Sequence, residues 1–418
     1  MPYVLGIDLG HTRTHAAVCR YGDRSWTDPE VVPLEGGREW VESAVHVTSD
    51  GAVLAGRAIA KQGPPERTVR GLLHRVGDPV PVVVGRQAYP GEVLTAALAG
   101  WVSDQLANSF GRPPHQIVLT HPAGWGAHRR RVLHDALESA RLPGALVLPA
   151  PVAAAEWHAV GEQVDAGTVL AVCRIGGERV ESALLRRGQA GFDLLAHAAS
   201  PDPNAGTVID DLLVEHVLSG LDKPDDPRLR ARLRGGCLRA KEVLAEQQEA
   251  MIPVPAAADV PIGRRELDHI AQPVLQAAAD QLARLAARVP DDELSAVVLT
   301  GGTARMPQAA TLTEATLRRD GIDCPVRVGA DPANAVCEGA ALIARRRLAP
   351  DPQPAPAPAN SPAAPEPPIP GGEEDEIDIG PPPPRPPVEI APLEPPPRRS
   401  AVLLRRASRG AGRNGDGR

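Results

Sequence analysis

The sequence predicts an α/β fold, and three observations carry that expectation. Strand-like apolar runs alternate with segments of helical periodicity through residues 1–348. Two of the strand-like runs end in glycine-containing turns that lead into a second run, near residues 4–18 and 169–185. A third buried-type run, Ser295–Thr300, ends directly in Gly301-Gly302. The restart near 169 divides this part of the chain into two similar halves, 1–165 and 166–348.

The elements follow in order. "YVLGIDLG" and "THAAVCR" read as strands joined by a turn, and "GEVLTAALAGWVSDQLANSF" has apolar residues at helical spacing. "QIVLTHPAGW" is a buried strand stopped by proline, and "AHRRRVLHDALESARL" is an amphipathic helix. "GALVLPAPVAAAEWHAVG" reads as strand, turn and helix. "TVLAVCRIGG" and "RVESALLRRG" repeat the opening hairpin. Long helices are expected around "TVIDDLLVEHVLSGL" and "RLRARLRGGCLRAKEVLAEQ", and the last helix in "DPANAVCEGAALIA", with Asp331 and Pro332 at its start. Aromatic residues are only 2% of the chain against 43% hydrophobic, so Ala, Val and Leu must fill the core.

Composition also excludes. The net charge of −7 argues against a nucleic-acid binder, which is ordinarily basic. Five cysteines, an odd number with no close pair, argue against a disulfide framework or a Cys-x-x-Cys zinc site, and fit a reducing cytoplasm. The N-terminus lacks a basic patch followed by a long apolar core, and no run of about 18 apolar residues occurs, so neither a signal peptide nor a membrane span is expected. Twenty of the 46 prolines fall between Pro350 and Pro397, flanking the acidic stretch Glu373–Ile379 and followed by an arginine-rich end. Proline fixes φ and lacks an N–H, so 349–418 is expected to be a disordered, partly polyproline-II tail. It is either a solvated tail or a docking segment for a protein partner.

Four motifs carry candidate chemistry. In "GIDLGHTRTH", Asp8 closes an apolar strand just before a glycine turn. Backbone N–H groups of such a turn can hold an anion, and a carboxylate there can hold hydrated Mg²⁺, which prefers oxygen ligands. Gly176 and Gly177 form the second such turn; Gly301, Gly302 and Thr303, followed by Arg305, form the third. The helix after Asp331 is the fourth. Each has a plain structural alternative: ordinary hairpins for the first two, and a helix entry capped by Thr303 for the third. His121, His128 and His134 match no zinc spacing and are read as surface or packing residues, and Arg129–Arg131 as a solvated helix face. There is no Walker A sequence and no Gly-x-Ser-x-Gly elbow.

These four motifs, in this order, resemble the nucleotide-binding domain of the DnaK-type heat-shock chaperones (the seventy-kilodalton class) within the actin-like ATPase superfamily. "IVLTHPAGW", "PAPVAAAEWHAVG", "RLRGGCLRAKEVLAEQ" and "VPIGRRELDHI" resemble further segments of that family, so that the likeness covers nearly all of residues 3–347. The resemblance implies two lobes, each built on a ribonuclease-H-like sheet, with ATP in the cleft between them. It places the phosphates between the hairpins of Gly10, His11, Thr12 and Arg13 and of Arg174, Gly176 and Gly177. It places the adenosine on Gly301, Gly302, Thr303, Arg305 and Asp331, with Lys241 closing the base pocket. Asp8, as the magnesium ligand, and Glu181 become the candidate catalytic carboxylates.

The sequence departs from the family where hydrolysis is organised. The family's catalytic lysine position falls on Ala60, with Lys61 one residue later; its hinge acid is Ala150; the aspartate opening its second phosphate loop is Arg174, and the threonine after those glycines is Arg179. His11 replaces a threonine or serine; Leu238, Ala245 and Ala333 replace other polar residues. Phosphoryl transfer needs a metal, a lysine and a positioned water. The expectation is therefore ATP binding with weak metal need and slow or absent hydrolysis, Arg174 and Arg179 taking over part of the metal's attraction unless they lie on the solvated rim. The proline-rich residues 349–418 are not expected to form the β-rich peptide-binding domain that follows in that family. The alternative is a catalytically inactive scaffold of the same fold that recruits partners through its tail. A sugar-kinase-like enzyme is disfavoured, because no catalytic base is paired with a sugar pocket.

Overall fold

In the computed structural model the described residues are 1–348 without 57–58, 60–64, 201–203, 222–225, 256 and 291. The proline-rich tail and the Ala60–Lys61 pair lie outside them.

Two sheets of the same design make up the framework. In the first, β1 (Tyr3–Leu9) pairs antiparallel with β2 (Arg13–Gly22) and parallel with β3 (Ile117–His121), which pairs parallel with β4 (Leu146–Pro149). The short strands Glu30–Val31 and Trp40–Glu42 add to the far edge of β2. Helices α1 (Gly91–Phe110) and α2 (Ala127–Ser139) cover one face, and α3 (Ala150–Gly161) follows β4. In the second sheet, β5 (Val169–Ile175) pairs antiparallel with β6 (Val180–Arg187), and β6 with β7 (Phe192–Ala199). On its other side β5 pairs parallel with β8 (Leu294–Thr300), and β8 with β9 (Val326–Val328). Helices α4 (Gly206–Ser219), α5 (Pro227–Leu244), α6 (Arg264–Ala286) and α7 (Pro307–Arg319) lie between β7 and β9 in sequence, and α8 (Ala335–Leu348) ends the described chain. The duplicated sheet expected from the repeated hairpins is present.

Strand alternation sorts the residues into three cores. On β1, Tyr3, Leu5, Ile7 and Leu9 point into one core with Leu94, Leu98, Leu133 and Leu137 from α1 and α2. On β5, Val169, Ala171, Cys173 and Ile175 point into another, with Ile209, Leu213, Leu233 and Leu267 from α4, α5 and α6. The remaining faces meet in a third core, where Val4, Ala17, Leu170 and Val172 pack with the alanine-rich faces of α3 and α8. With so few aromatics, this centre is built by close approach. A Cβ at Gly339 of α8 would sit 1.8 Å from the Ala153 carbonyl oxygen of α3, and one at Gly6 of β1 would sit 2.2 Å from the Ala341 nitrogen of α8. Helix α8, the last described helix, thus packs on the first sheet and shares the central core with Leu170, Val172, Ala296 and Val298 of the second. The buried Glu156 of α3 is neutralised there by Arg346 of α8 and Arg187 of β6.

The local signals act as expected. Asp226 caps α5 by accepting the Arg228 N–H at 3.2 Å, with Pro227 at the first helical position. Gly111 closes α1 in the left-handed conformation at φ 70°. Two readings need correction. Helix α8 begins at Ala335 rather than at Asp331, because Asp331 and Pro332 lie in a turn where the Asp331 carboxylate accepts the Ala333 N–H at 3.1 Å. Thr303 caps no helix: it lies in a 3₁₀ turn, Gly302–Arg305, and its hydroxyl donates to the Gly176 carbonyl at 2.8 Å. Among the described residues no helix is long and apolar enough to cross a membrane.

Candidate functional site

The alternation that builds the cores also places the site. Asp8 shares a face of β1 with Val4 and Gly6, and Arg174 shares a face of β5 with Leu170 and Val172. These two faces look toward one another, and each residue sits at the C-terminal end of its strand. Their side chains meet. Arg174 Nη2 donates to Asp8 Oδ2 at 2.6 Å, and the other carboxylate oxygen accepts the Thr120 hydroxyl at 2.9 Å. The Asp8 side chain is 1% exposed and that of Arg174 14%. At an effective dielectric of 20, two unit charges about 4 Å apart attract by about 4 kcal/mol. This pair therefore balances a carboxylate that burial alone would make costly.

A cleft of about 1090 Å³ opens above the pair. It is lined by both hairpin tips, by the Gly301–Arg305 turn and by α5, so the sequence brings together Asp8, His11, Gly177, Glu181, Lys241 and Arg305. Gly10, Thr12, Arg13, Arg174, Gly176, Gly301, Gly302 and Thr303 line it too; Asp331 stands just outside, bonded to Arg305. The hairpins share one closure: the Gly10 N–H donates to the Arg13 carbonyl at 3.1 Å, and the Gly176 N–H to the Arg179 carbonyl at 3.0 Å. Their tips touch. A Cβ on Gly177 would lie 2.4 Å from Thr12 Oγ1, so only glycine lets the two loops come this close.

On the far side, Lys241 donates to the Gly206 carbonyl at 2.7 Å and pairs with Asp210 at 2.7 Å. Burial pulls Lys241 down and Asp210 up, and each partner's charge pulls the other back. Arg305 pairs with Asp331 at 2.7 Å. Arg13 crosses the cleft mouth to bond Glu242 of α5 while its guanidinium stacks 3.9 Å from the centre of the Trp40 ring. Arg179 donates to the Ser200 carbonyl at 2.9 Å, and its Nε is buried with no protein partner.

Several participants had no signal in the sequence. His74 bonds Glu178 of the second hairpin at 2.8 Å, with its ring 4.7 Å from that of His11. Asn334 donates to Asp331 at 2.6 Å and to Glu39 at 2.9 Å. These are meetings of segments far apart in the chain; only the asparagine three residues after Asp331 lay close to a motif. His121, by contrast, is a packing residue, buried and stacked on Trp125 with centroids 5.4 Å apart, and Arg129–Arg131 are exposed.

Burial shifts several titratable groups of the cleft toward their uncharged forms. It lowers His11 to about 3, helped by His74 and Arg174, and lowers His15 to about 4 against the pull of Asp8. Burial raises Glu181, opposed by Arg174. Hydrogen bonding from His74 lowers Glu178.

Magnesium does not fit this donor set. Mg²⁺ takes six oxygens in near-octahedral geometry and is drawn by free carboxylate charge. Both oxygens of Asp8 are engaged, one of them by a cation, so the carboxylate offers magnesium neither an unbonded oxygen nor an unbalanced charge. A nucleotide does fit. Two glycine hairpins face each other, Arg179 Nε and His15 Nδ1 are buried in the lining without protein partners, and Arg305 presents a planar guanidinium at the adjoining turn.

Comparisons with known proteins agree with this architecture. Residues 73–349 match the family model described as Hsp70 protein. The chain is 27% identical over 365 residues to the chaperone protein DnaK of Elusimicrobium minutum, an alignment covering 82% of this chain and 58% of that protein. It is 26% identical to the DnaK of Methanothermobacter thermautotrophicus, covering 81% of this chain and 59% of that protein. The DnaK of Cenarchaeum symbiosum is 23% identical, with 82% and 54% covered. The chain spans a little over half the length of these curated relatives.

Proposed function

The chain belongs to the Hsp70 family, and from that premise we propose that it binds ATP in the cleft between its two sheets and hydrolyses it slowly or not at all. The observation that carries the reading is the opposed pair of glycine hairpins, closed by matching N–H to carbonyl bonds and touching at Gly177 and Thr12. In the proposed pose the hairpins and Arg174 hold the phosphates, the Gly301–Arg305 turn holds the adenosine, and Lys241 orders the base side through its bonds to Gly206 and Asp210.

Slow chemistry follows from the charges. Attack by water on a phosphoryl group needs an acceptor to orient the water and charge to stabilise the equatorial oxygens. Asp8 is neutralised by Arg174, Glu181 is driven toward its protonated form by burial, and Ala150 supplies no acid at the hinge. Positive charge is present, while the carboxylates that line the hairpins are engaged or disfavoured as anions: Asp8 is held by Arg174, Glu178 by His74, and Glu181 is raised by burial. The chaperone role implied by the family then runs through nucleotide-dependent closure of the cleft, with partners that the proline-rich tail helps to recruit in the cytoplasm.

The test is equilibrium binding of a fluorescent ATP analogue to the full chain, competed by ATP, ADP and GTP, followed by multiple-turnover phosphate release. Saturable binding displaced by ATP, with release at the buffer blank, is the expected outcome. Absence of displaceable binding leaves the scaffold reading. Turnover that vanishes when Asp8 is changed to Asn would overturn the assignment of slow chemistry.

A further inference from the structure

We infer that this cleft takes its nucleotide free of divalent metal, with the Arg174 guanidinium as the fixed counter-charge that a metal ion supplies at other polyphosphate sites. The inference rests on the nucleotide reading above and narrows its ligand to the uncomplexed polyphosphate.

Three observations carry it. First, Arg174 stands at the strand end facing Asp8, bonded to it at 2.6 Å, and Thr120 takes the second carboxylate oxygen. The carboxylate best placed to attract a metal is already balanced by a cation that is part of the chain. Second, a guanidinium has five N–H donors in a planar fork, and among the described residues Arg174 spends its donors on Asp8 alone. The side chain lines the cleft beside the first hairpin, its terminal nitrogen 3.2 Å from where a Cβ of Gly10 would be. Its unspent donors suit phosphate oxygens, which arginine binds through paired hydrogen bonds. Third, Arg179 lines the cleft from the second hairpin, its Nε buried without a protein partner.

With Arg174 on the phosphate oxygens and both Asp8 oxygens already engaged, magnesium gains no carboxylate of the chain to hold it at those phosphates. Magnesium in excess therefore withdraws the ligand instead of completing the site. Glu178, the acid at the tip of the second hairpin, is taken by His74, and Arg179 adds a second donor there.

The test is calorimetric titration of the full chain with ATP, once in EDTA and once in excess Mg²⁺. Binding in EDTA as tight as in magnesium, or tighter, is the expected result. Binding that strengthens threefold or more on adding magnesium overturns the inference and leaves the nucleotide reading standing. Absence of binding in both overturns the nucleotide reading itself. A second arm uses the double variant Asp8→Asn with Arg174→Gln, which removes both charges together and leaves neither partner buried alone. A tenfold or greater loss of affinity in EDTA, with the parent's circular dichroism retained, is expected. Unchanged affinity in that variant shows that Arg174 is not the counter-charge. The comparison of EDTA with magnesium on the parent chain decides the matter even where the variant fails to fold.

Discussion

The two hairpins of this molecule are built alike and charged oppositely. In the first, Asp8 lies beside Thr120 on the parallel neighbour and His15 on the antiparallel one. In the second, the matching position is Arg174, beside Thr300 and Glu181. The backbone repeats faithfully, down to the bonds from Gly10 to Arg13 and from Gly176 to Arg179. The side chains at the strand ends do not: an acid faces a base, and the two halves neutralise each other across the cleft. The difference teaches that duplicated backbone geometry fixes where a functional group stands, while its charge decides whether the site requires an outside ion.

The comparison can be broken most forcefully at its centre. Arg174→Ala leaves Asp8 buried and unpaired, a change that costs about 3–5 kcal/mol, read as a lower midpoint in urea. Arg179→Ala, which removes one bond to a carbonyl, is expected to cost about 1 kcal/mol. Equal losses at the two arginines would mean that the Asp8 pair has no special weight.

Contact between the hairpins is the next target. Gly177→Ala puts a methyl within 2.4 Å of Thr12 Oγ1 and should destabilise by about 1–3 kcal/mol. Adding Thr12→Ala should recover most of that loss, since the hydroxyl and methyl it removes are the nearest atoms. No recovery in thermal melts would place the strain elsewhere.

The histidines of the first half give a signature in acid that the second hairpin lacks. His11 has its folded value near 3, below the ordinary 6.5. The unfolded chain therefore binds more protons between those values, and stability is fully present above pH 6.5 and lost as pH falls. His11→Gln should reduce the loss between pH 7 and pH 5 by about 1–2 kcal/mol. An unaltered pH profile of unfolding would show that His11 is solvated.

Glu338 of α8 acts in the opposite direction and to a smaller extent. Burial, with Asp331 and Glu39 nearby, raises it to about 7, so the folded chain holds the extra proton and stability falls as pH rises from 4.5 to 7. Glu338→Gln should gain about 1 kcal/mol at pH 8 and little at pH 4, measured by chemical unfolding at the two pH values.

Much of this was legible in the sequence. Alternation along "YVLGIDLG" puts Asp8 on the face opposite Tyr3, Leu5, Ile7 and Leu9, alternation along "TVLAVCRIGG" puts Arg174 on the face of Leu170 and Val172, and glycines mark both turns. Helix α1 spans the segment its periodicity marks, Gly91–Phe110. What could not be read is the encounter of distant segments. That Arg13 would reach Glu242 over Trp40, or His74 bond Glu178, depends on loop paths that no local pattern specifies. The start of α8 was misplaced for a local reason: Asp331 is a strong cap residue, but its carboxylate is engaged by Arg305, Asn334 and a turn N–H.

The most direct measurement is a crystal structure of the full chain grown with ATP in the presence of magnesium. The account predicts phosphate oxygens within about 3 Å of the Arg174 guanidinium, with the Asp8 pair intact and no metal on Asp8. A magnesium ion beside Asp8, with Arg174 swung out of the cleft, would contradict it.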